Sequence, residues 1–157
     1  PEAASAVNGI TDAMLVGKPK VTDVLGAFTE FCADDIMVAH NAPFDSQFLI
    51  NDYKKNEIPC PRGLILDSCA MARKVLPGMA NYRLGTLVQH LGIEAGGFHR
   101  AEADAHMCGQ LFIKMINRIS AGGVMPPLAN LIALTGKPEA RFPVIEKTPK
   151  QLGFLDI

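Results

Sequence analysis

Two short segments carry the residue types that metal-assisted hydrolysis needs. His40-Asn41-Ala42-Pro43-Phe44-Asp45 and His99-Arg100-Ala101-Glu102-Ala103-Asp104 each place a histidine and, five residues later, an aspartate where an apolar stretch changes character. Carboxylates suit hard divalent cations, which take oxygen ligands. A histidine beside them can accept a proton near neutral pH. The pattern points toward metal-assisted phosphoester hydrolysis and supplies half of a metal site.

Asp104 is the strongest single candidate. Cys108, Leu111 and Met115 follow it at four, seven and eleven residues, so it shares the apolar stripe of a helix. A lone buried carboxylate is costly unless it is paired or metal-bound. The competing reading is a helix-start aspartate that interacts with the dipole; a position beyond the first turn favours the ligand. Asp45 precedes Phe48 and Leu49 and is read the same way, with the dipole reading nearly as good. His99 gains meaning only beside Asp104. His106 and His90 read as surface residues, Phe44 as core, Asn41 as a strand-end turn former, and Asp67 before Ser68 as an N-cap rather than a ligand.

The elements that must position these residues follow from periodicity. Thr11 is a plausible N-cap for a short turn through Leu15, ended by Gly17-Lys18-Pro19. Val21, Val24, Leu25, Phe28 and Phe31 recur at spacings of three and four, which predicts an amphipathic helix over 21–31. Ile36-Met37-Val38-Ala39 is a short apolar run, a buried strand that ends at His40, with a helix beginning near Phe44. A second strand covers about 64–67, followed by a helix from Cys69 to Leu76. Helices are also expected over 84–91, stopped by Gly92, from about Arg100 to Ile119 after Gly96-Gly97, and over Leu128 to Leu134. The remaining tail reads as irregular. Alternating helices and buried strands indicate an α/β architecture, and ligands in such sheets bind beyond the carboxyl ends of strands. His40, Asn41 and Asp67 fall there.

The 157 residues suit one domain with a real core. A net charge of −1 gives no global pull on nucleic acid, so any such surface must be local. Lys54-Lys55, Arg73-Lys74 and Arg83 are local clusters that each read most simply as solvated faces. The four cysteines lack CxxC spacing and read as reduced, which favours the cytoplasm. No stretch is long and apolar enough for a membrane span.

The segment from Val38 to Asp45 resembles the second exonuclease motif of the DEDDh 3'–5' exonucleases, the family of the epsilon proofreading subunit of bacterial DNA polymerase III. His99 to Asp104 is similar to that family's third motif, HxAxxD. Val7-Asn8-Gly9-Ile10-Thr11 resembles its VHGIT loop, with Asn8 in place of histidine, and the likeness runs from about Val7 to Ile119. The resemblance implies a ribonuclease H-like α/β exonuclease fold, helix-rich here with two evident core strands. It implies an exonuclease domain over 1–120, and 121–157 reads as a short helix and tail. It further implies Asp45 and Asp104 as metal ligands for two divalent cations, magnesium or manganese. His99 would be the general base, and Ile10, Thr11, Asn41 and Phe44 would contact the terminal nucleotide. The implied activity is hydrolysis of DNA from a single-stranded 3' end, with DNA polymerase subunits as partners.

The family's first motif, an Asp-x-Glu on its first strand, has no counterpart before Val7. A fold truncated at its N-terminus is therefore expected, with the missing strand encoded upstream of Pro1; a naturally shortened relative is the alternative. The 157 residues alone should then be inactive and should need that upstream segment, or a second copy, to be ordered. Two other functional classes remain: a catalytically dead nucleic-acid-binding or interaction module, and an oligoribonuclease-like RNA exonuclease. The VxGIT loop favours DNA.

Overall fold

Residues 5–6, 9–94, 101–120, 122–136 and 140–145 are described by the structure, a computed structural model. The elements run α1 (Asp12–Leu15), α2 (Val21–Cys32), β1 (Met37–Ala39), α3 (Ala42–Asn56), β2 (Ile65–Asp67), α4 (Ser68–Val75), α5 (Leu84–His90), α6 (Ala101–Ile119) and α7 (Leu128–Leu134). Their ends follow local chemistry. Asp23 in the first turn of α2 accepts the Lys20 N–H at 3.0 Å, which satisfies an orphan donor and favours the positive helix end. Pro43 opens α3, where its fixed φ suits the first turn and its missing N–H costs nothing. Asp67 caps α4 by accepting the N–H groups of Cys69 and Ala70, as expected of it.

The strands β1 and β2 pair in parallel, with Met37 opposite Ile65, Val38 opposite Leu66 and Ala39 opposite Asp67. A parallel pair needs a crossover, and α3 is that crossover. On the far side of β2, the Ile65 N–H donates to Ala140 at 2.7 Å and Leu64 bridges Arg141 in antiparallel sense. Part of the tail, read as irregular from sequence, thus borders the sheet.

Apolar burial is concentrated on one side. Leu66 from the sheet joins Met71, Leu87, Met107, Leu111 and Met115 from α4, α5 and α6, with Leu131 of α7 at the margin. A smaller cluster holds Leu25, Tyr53 and Cys60, with Leu49 and Phe142 against it. The Tyr53 hydroxyl donates to the Leu25 carbonyl at 3.2 Å, so its polar end is satisfied while the ring is buried.

Two expectations need correction. Helix α2 forms where its spacing says, but only Leu25 and Cys32 are buried; Val21, Val24, Phe28 and Phe31 are exposed, Phe31 by 82%. Periodicity defines an apolar face and not whether anything covers it; among the described residues, little does. For the same reason β1 is half-buried along its length, whereas β2 is buried at Ile65 and Leu66. Gly96, Gly97, His99 and Arg100 lie outside the described residues, as do Val7 and Asn8. No helix among the described residues is long and apolar enough to cross a membrane.

One tight corner brings the strands together. At buried Gly63 a Cβ would collide with the backbone carbonyl of Asp35; the Arg62 N–H donates to Ala33 beside it at 2.8 Å. Gly63→Ala should therefore destabilise the fold by about 1–3 kcal/mol, seen as a lower thermal midpoint. Gly26→Ala, mid-helix on α2 with nothing near the added methyl, should raise stability by about 0.5–1 kcal/mol.

Burial also raises the pKa of the free thiols Cys32, Cys60, Cys69 and Cys108 and of the Tyr53 phenol. The native state then favours the neutral forms. Their stabilisation is complete below the unfolded pKa values and is lost as pH rises through the folded ones. Urea midpoints should hold near neutrality and fall as pH passes about 8.5 to 10, the ordinary thiol and phenol range.

Candidate active site

A cleft of about 1390 Å³ opens beside the carboxyl end of β1, and residues distant in sequence meet in it. Val38, Ala39 and His40 come from the strand end, Phe44 and Asp45 from the first turn of α3, and Asp104, Ala105 and Cys108 from α6. Arg83 and Gln89 come from α5 and its approach, and Ile10 from the loop before α1. Of the residues singled out from sequence, Ile10, Phe44, Asp45 and Asp104 are thus brought together. Thr11 is adjacent to Ile10 but exposed, and Asn41 is exposed at the turn before α3. His99 lies outside the described residues.

The turn that aims Asp45 is held by side chains from the second strand. Asn41 has φ +68°, the left-handed region that asparagine tolerates better than most residues. Its N–H donates to Asp67 Oδ1 at 3.0 Å, and the same oxygen accepts Cys69 N–H at 2.9 Å and Ala70 N–H at 3.3 Å. Asp67 is thereby both the cap of α4 and the clamp on the α3 turn, a double role that the sequence could not show.

His40 is equally committed. Its Nε2 donates to the Tyr82 carbonyl at 2.8 Å, since a carbonyl only accepts. Nδ1 is paired with the Ser68 hydroxyl at 2.9 Å, and that hydroxyl also lies 3.2 Å from the Ala39 carbonyl, to which it can donate. Because the hydroxyl's one proton is taken by His40 or Ala39, the Cys108 thiol 3.5 Å away is the donor to Ser68 Oγ. Both ring nitrogens are occupied, so His40 holds β1 to α4 and to the Tyr82 loop and is not the free proton acceptor its position suggested. Tyr82 is itself fixed: its hydroxyl donates to Leu76 at 3.1 Å and Arg73 lies over its ring at 4.7 Å. That loop brings Arg83 to the cleft, a residue that spacing alone read as a solvated cation.

Three readings change here. Phe44 is not core but 62% exposed, and Phe48, expected on the inward side with Asp45, is 61% exposed. The rings pack on each other instead of inward, because α3 buries Ala42 and Tyr53. Asp104 does lie on the stripe of Cys108, Leu111 and Met115, all buried, but it sits in the first turn of α6. The two readings are compatible, since a carboxylate in that turn meets the positive helix end and lines the cleft at the same time.

Asp45 shows the electrostatics of the site. Although much of its surface meets solvent, partial burial against the cleft wall raises its pKa, and the Asp67 carboxylate adds to the shift. Its own backbone N–H and His40 pull the other way without cancelling it. A carboxylate under such pressure gains from a cation. Hard oxygen donors at Asp45 and Asp104 fit magnesium or manganese, which are commonly held by one or two carboxylates plus water and substrate phosphate. Among the described residues no group of three or more His, Cys, Asp or Glu is disposed to hold a metal.

Comparison with known proteins agrees with this geometry. The chain is 37% identical over 119 residues to the DNA polymerase III subunit epsilon of Aquifex aeolicus, covering 76% of this chain and 59% of that protein. It is 38% identical over 118 residues to the epsilon subunit of Treponema pallidum, covering 74% and 55%. Against the PolC-type DNA polymerase III of Oceanobacillus iheyensis it is 40% identical over 113 residues, 72% of this chain but 8% of that protein. The chain thus spans little more than half of the epsilon subunits and a small part of the polymerase. Among solved structures, exonuclease X in complex with 5' overhanging duplex DNA superposes with a TM-score of 0.63 at 26% identity, covering 87% of this chain and 74% of that one. Residues 1–112 match the Exonuclease family (RNase_T). The α/β layer, the cleft at the end of β1 and these likenesses have one reading: the chain belongs to the Exonuclease family and is an exonuclease domain related to the epsilon subunit of DNA polymerase III.

Proposed function

We propose that this chain belongs to the catalytic domain of a metal-dependent 3'–5' exonuclease that removes nucleotides from single-stranded DNA ends. The observation that supports it best is the meeting of Asp45 and Asp104, 59 residues apart in sequence, in one cleft with Phe44 and Ile10. The domain is taken as 1–120, with 121–157 as an appended helix and tail.

Asp45 and Asp104 would hold magnesium or manganese. When bound, two such ions stabilise the attacking and leaving oxygens of a phosphodiester in line. The chain's own residues do the rest. His99 takes the proton of the attacking water, as its place in the third motif implies. Phe44, Asn41, Ile10 and Thr11 hold the terminal nucleotide, and Arg83 offers a charge to its phosphate. The epsilon and PolC likenesses support a place beside a replicative DNA polymerase, in the cytoplasm.

A second reading follows from the carboxylates. Without substrate phosphate two carboxylates hold magnesium weakly, because it keeps most of its waters, and a chain that bound DNA without retaining the metal would be a nucleic-acid-binding module. The two readings are separable. In the full-length protein, His99→Ala should lower turnover on a magnesium-supplied single-stranded oligonucleotide by about 10²–10⁴-fold, and Asp104→Asn should do so while lowering stability by only about 0.3–1 kcal/mol, the worth of a first-turn carboxylate. Turnover near wild type in either variant would remove the assignment. Residues 1–157 by themselves should bind magnesium weakly in calorimetric titration and degrade no DNA; tight binding or clean metal-dependent degradation would contradict the donor count.

A further inference from the structure

Residues 140–145 lie beyond the stretch that matches the Exonuclease family, 1–112, yet they close an edge of the sheet. The chain around β2 is bound on both sides. Toward β1, the Arg62 N–H donates to the Ala33 carbonyl and the Leu64 carbonyl accepts the Met37 N–H, both at 2.8 Å. Alternation along the strand turns Ile65 the other way. There its N–H donates to the Ala140 carbonyl at 2.7 Å, and Leu64 bridges Arg141 in antiparallel sense. The Arg141 guanidinium adds a bond to the Arg62 carbonyl at 2.8 Å. Ile65 is buried, so without the tail its N–H would be a buried donor that has lost its acceptor. Both edges of β2 are thus taken, and a further strand could add only beyond β1. Next along the tail, Phe142 meets the Tyr53 ring edge-on, with centroids 6.2 Å apart and planes inclined at 63°. Phe142 and Ile145 pack on the cluster of Leu25, Tyr53 and Cys60. Between them Pro143 has no N–H to extend the pairing.

We infer that residues 140–145 are a strap that positions the metal-ligand turn, and so belong to the catalytic domain rather than to an appended tail. The path is short. The strap fixes Leu64 and Ile65, and Asp67 ends the same strand two residues on. Asp67 Oδ1 accepts the Asn41 N–H at the start of α3, four residues before Asp45. Tyr53, which takes the Phe142 ring, lies near the other end of α3. The strap therefore grips α3 at both ends, and Asp45 sits between the two grips. Phe142 is a positioning residue, acting through Tyr53 and β2 and touching no substrate. The inference rests on the nuclease reading above and moves the boundary of the domain which that reading assigns.

The test uses the full-length protein and reads amide exchange beside turnover on a magnesium-supplied single-stranded oligonucleotide. Phe142→Ala should speed exchange at the Ile65 and Asn41 N–H groups and lower kcat with KM unchanged. Each effect should be about 2- to 30-fold, the range that coupling through packed side chains spans. Phe142→Tyr should behave as wild type. Leu131→Ala, buried in the larger core cluster and not in the strap's, should lower the thermal midpoint without moving either readout. If Leu131→Ala lowers kcat as far as Phe142→Ala does, general loss of stability accounts for the effect and the strap is overturned. Wild-type exchange at Asn41 in Phe142→Ala would overturn it too. If exchange responds but kcat does not, the positioning role falls and the nuclease reading stands. If exchange responds as expected and the wild type degrades no DNA, the strap still sets the turn and the nuclease reading falls.

Discussion

One carboxylate oxygen organises the catalytic end of this fold. Asp67 Oδ1 accepts three backbone N–H groups, two from the start of α4 and one from Asn41 at the start of α3. The two helices that leave the sheet are therefore referenced to a single atom at the end of β2. Each of those N–H groups would otherwise be an orphan donor at a helix start, and a charged acceptor binds them more strongly than a neutral one. The left-handed Asn41 turn, with its unusual φ, is affordable because it is fixed from outside. Phe44 and Asp45 follow within the next four residues, so their placement derives from Asp67.

The His40, Ser68 and Cys108 contacts extend the same constraint across the layers. His40 ends β1, Ser68 begins α4 and Cys108 lies on α6, and their polar atoms form one chain of hydrogen bonds behind the cleft. Ser68 is fully buried, where an unmade hydrogen bond would be expensive. No buried side-chain polar atom lacks a partner among the described residues. The wall behind Asp45 and Asp104 is thus rigid polar packing, while the cleft itself keeps its carboxylates toward solvent. That division suits a site which must exchange water, ions and substrate without moving its scaffold.

Charge is placed against the grain of the whole chain. A net charge of −1 gives little long-range attraction for a polyanion, and the acidic pair in the cleft would repel a phosphate. Asp45 already carries the cost of Asp67 beside it. Arg83 and the amino-terminal ends of α3 and α6 are the local positive features at the cleft.

Local pattern was legible in the sequence wherever the deciding interaction spans one turn or one strand. The helices over 84–91 and 128–134, the two parallel-type strands, the Asp67 cap and the buried Cys32 and Cys108 could all be read from spacing. So could the stripe joining Asp104 to Cys108 and Leu111. The two histidine–aspartate segments could be read as candidates from their residue types, and Asp45 and Asp104 do line one cleft. Tertiary structure alone decided what covers each face. Phe44 and Phe48 read as inward and are not, and the apolar stripe of α2 has the right period but stands open. His40 looks like a free base until Tyr82 and Ser68 occupy both nitrogens. Asp45 and Asp104 share a cleft only because β1, α3 and α6 converge. Helical and strand periods are set by backbone geometry within a few residues, whereas exposure and hydrogen-bond partners depend on elements tens of residues away.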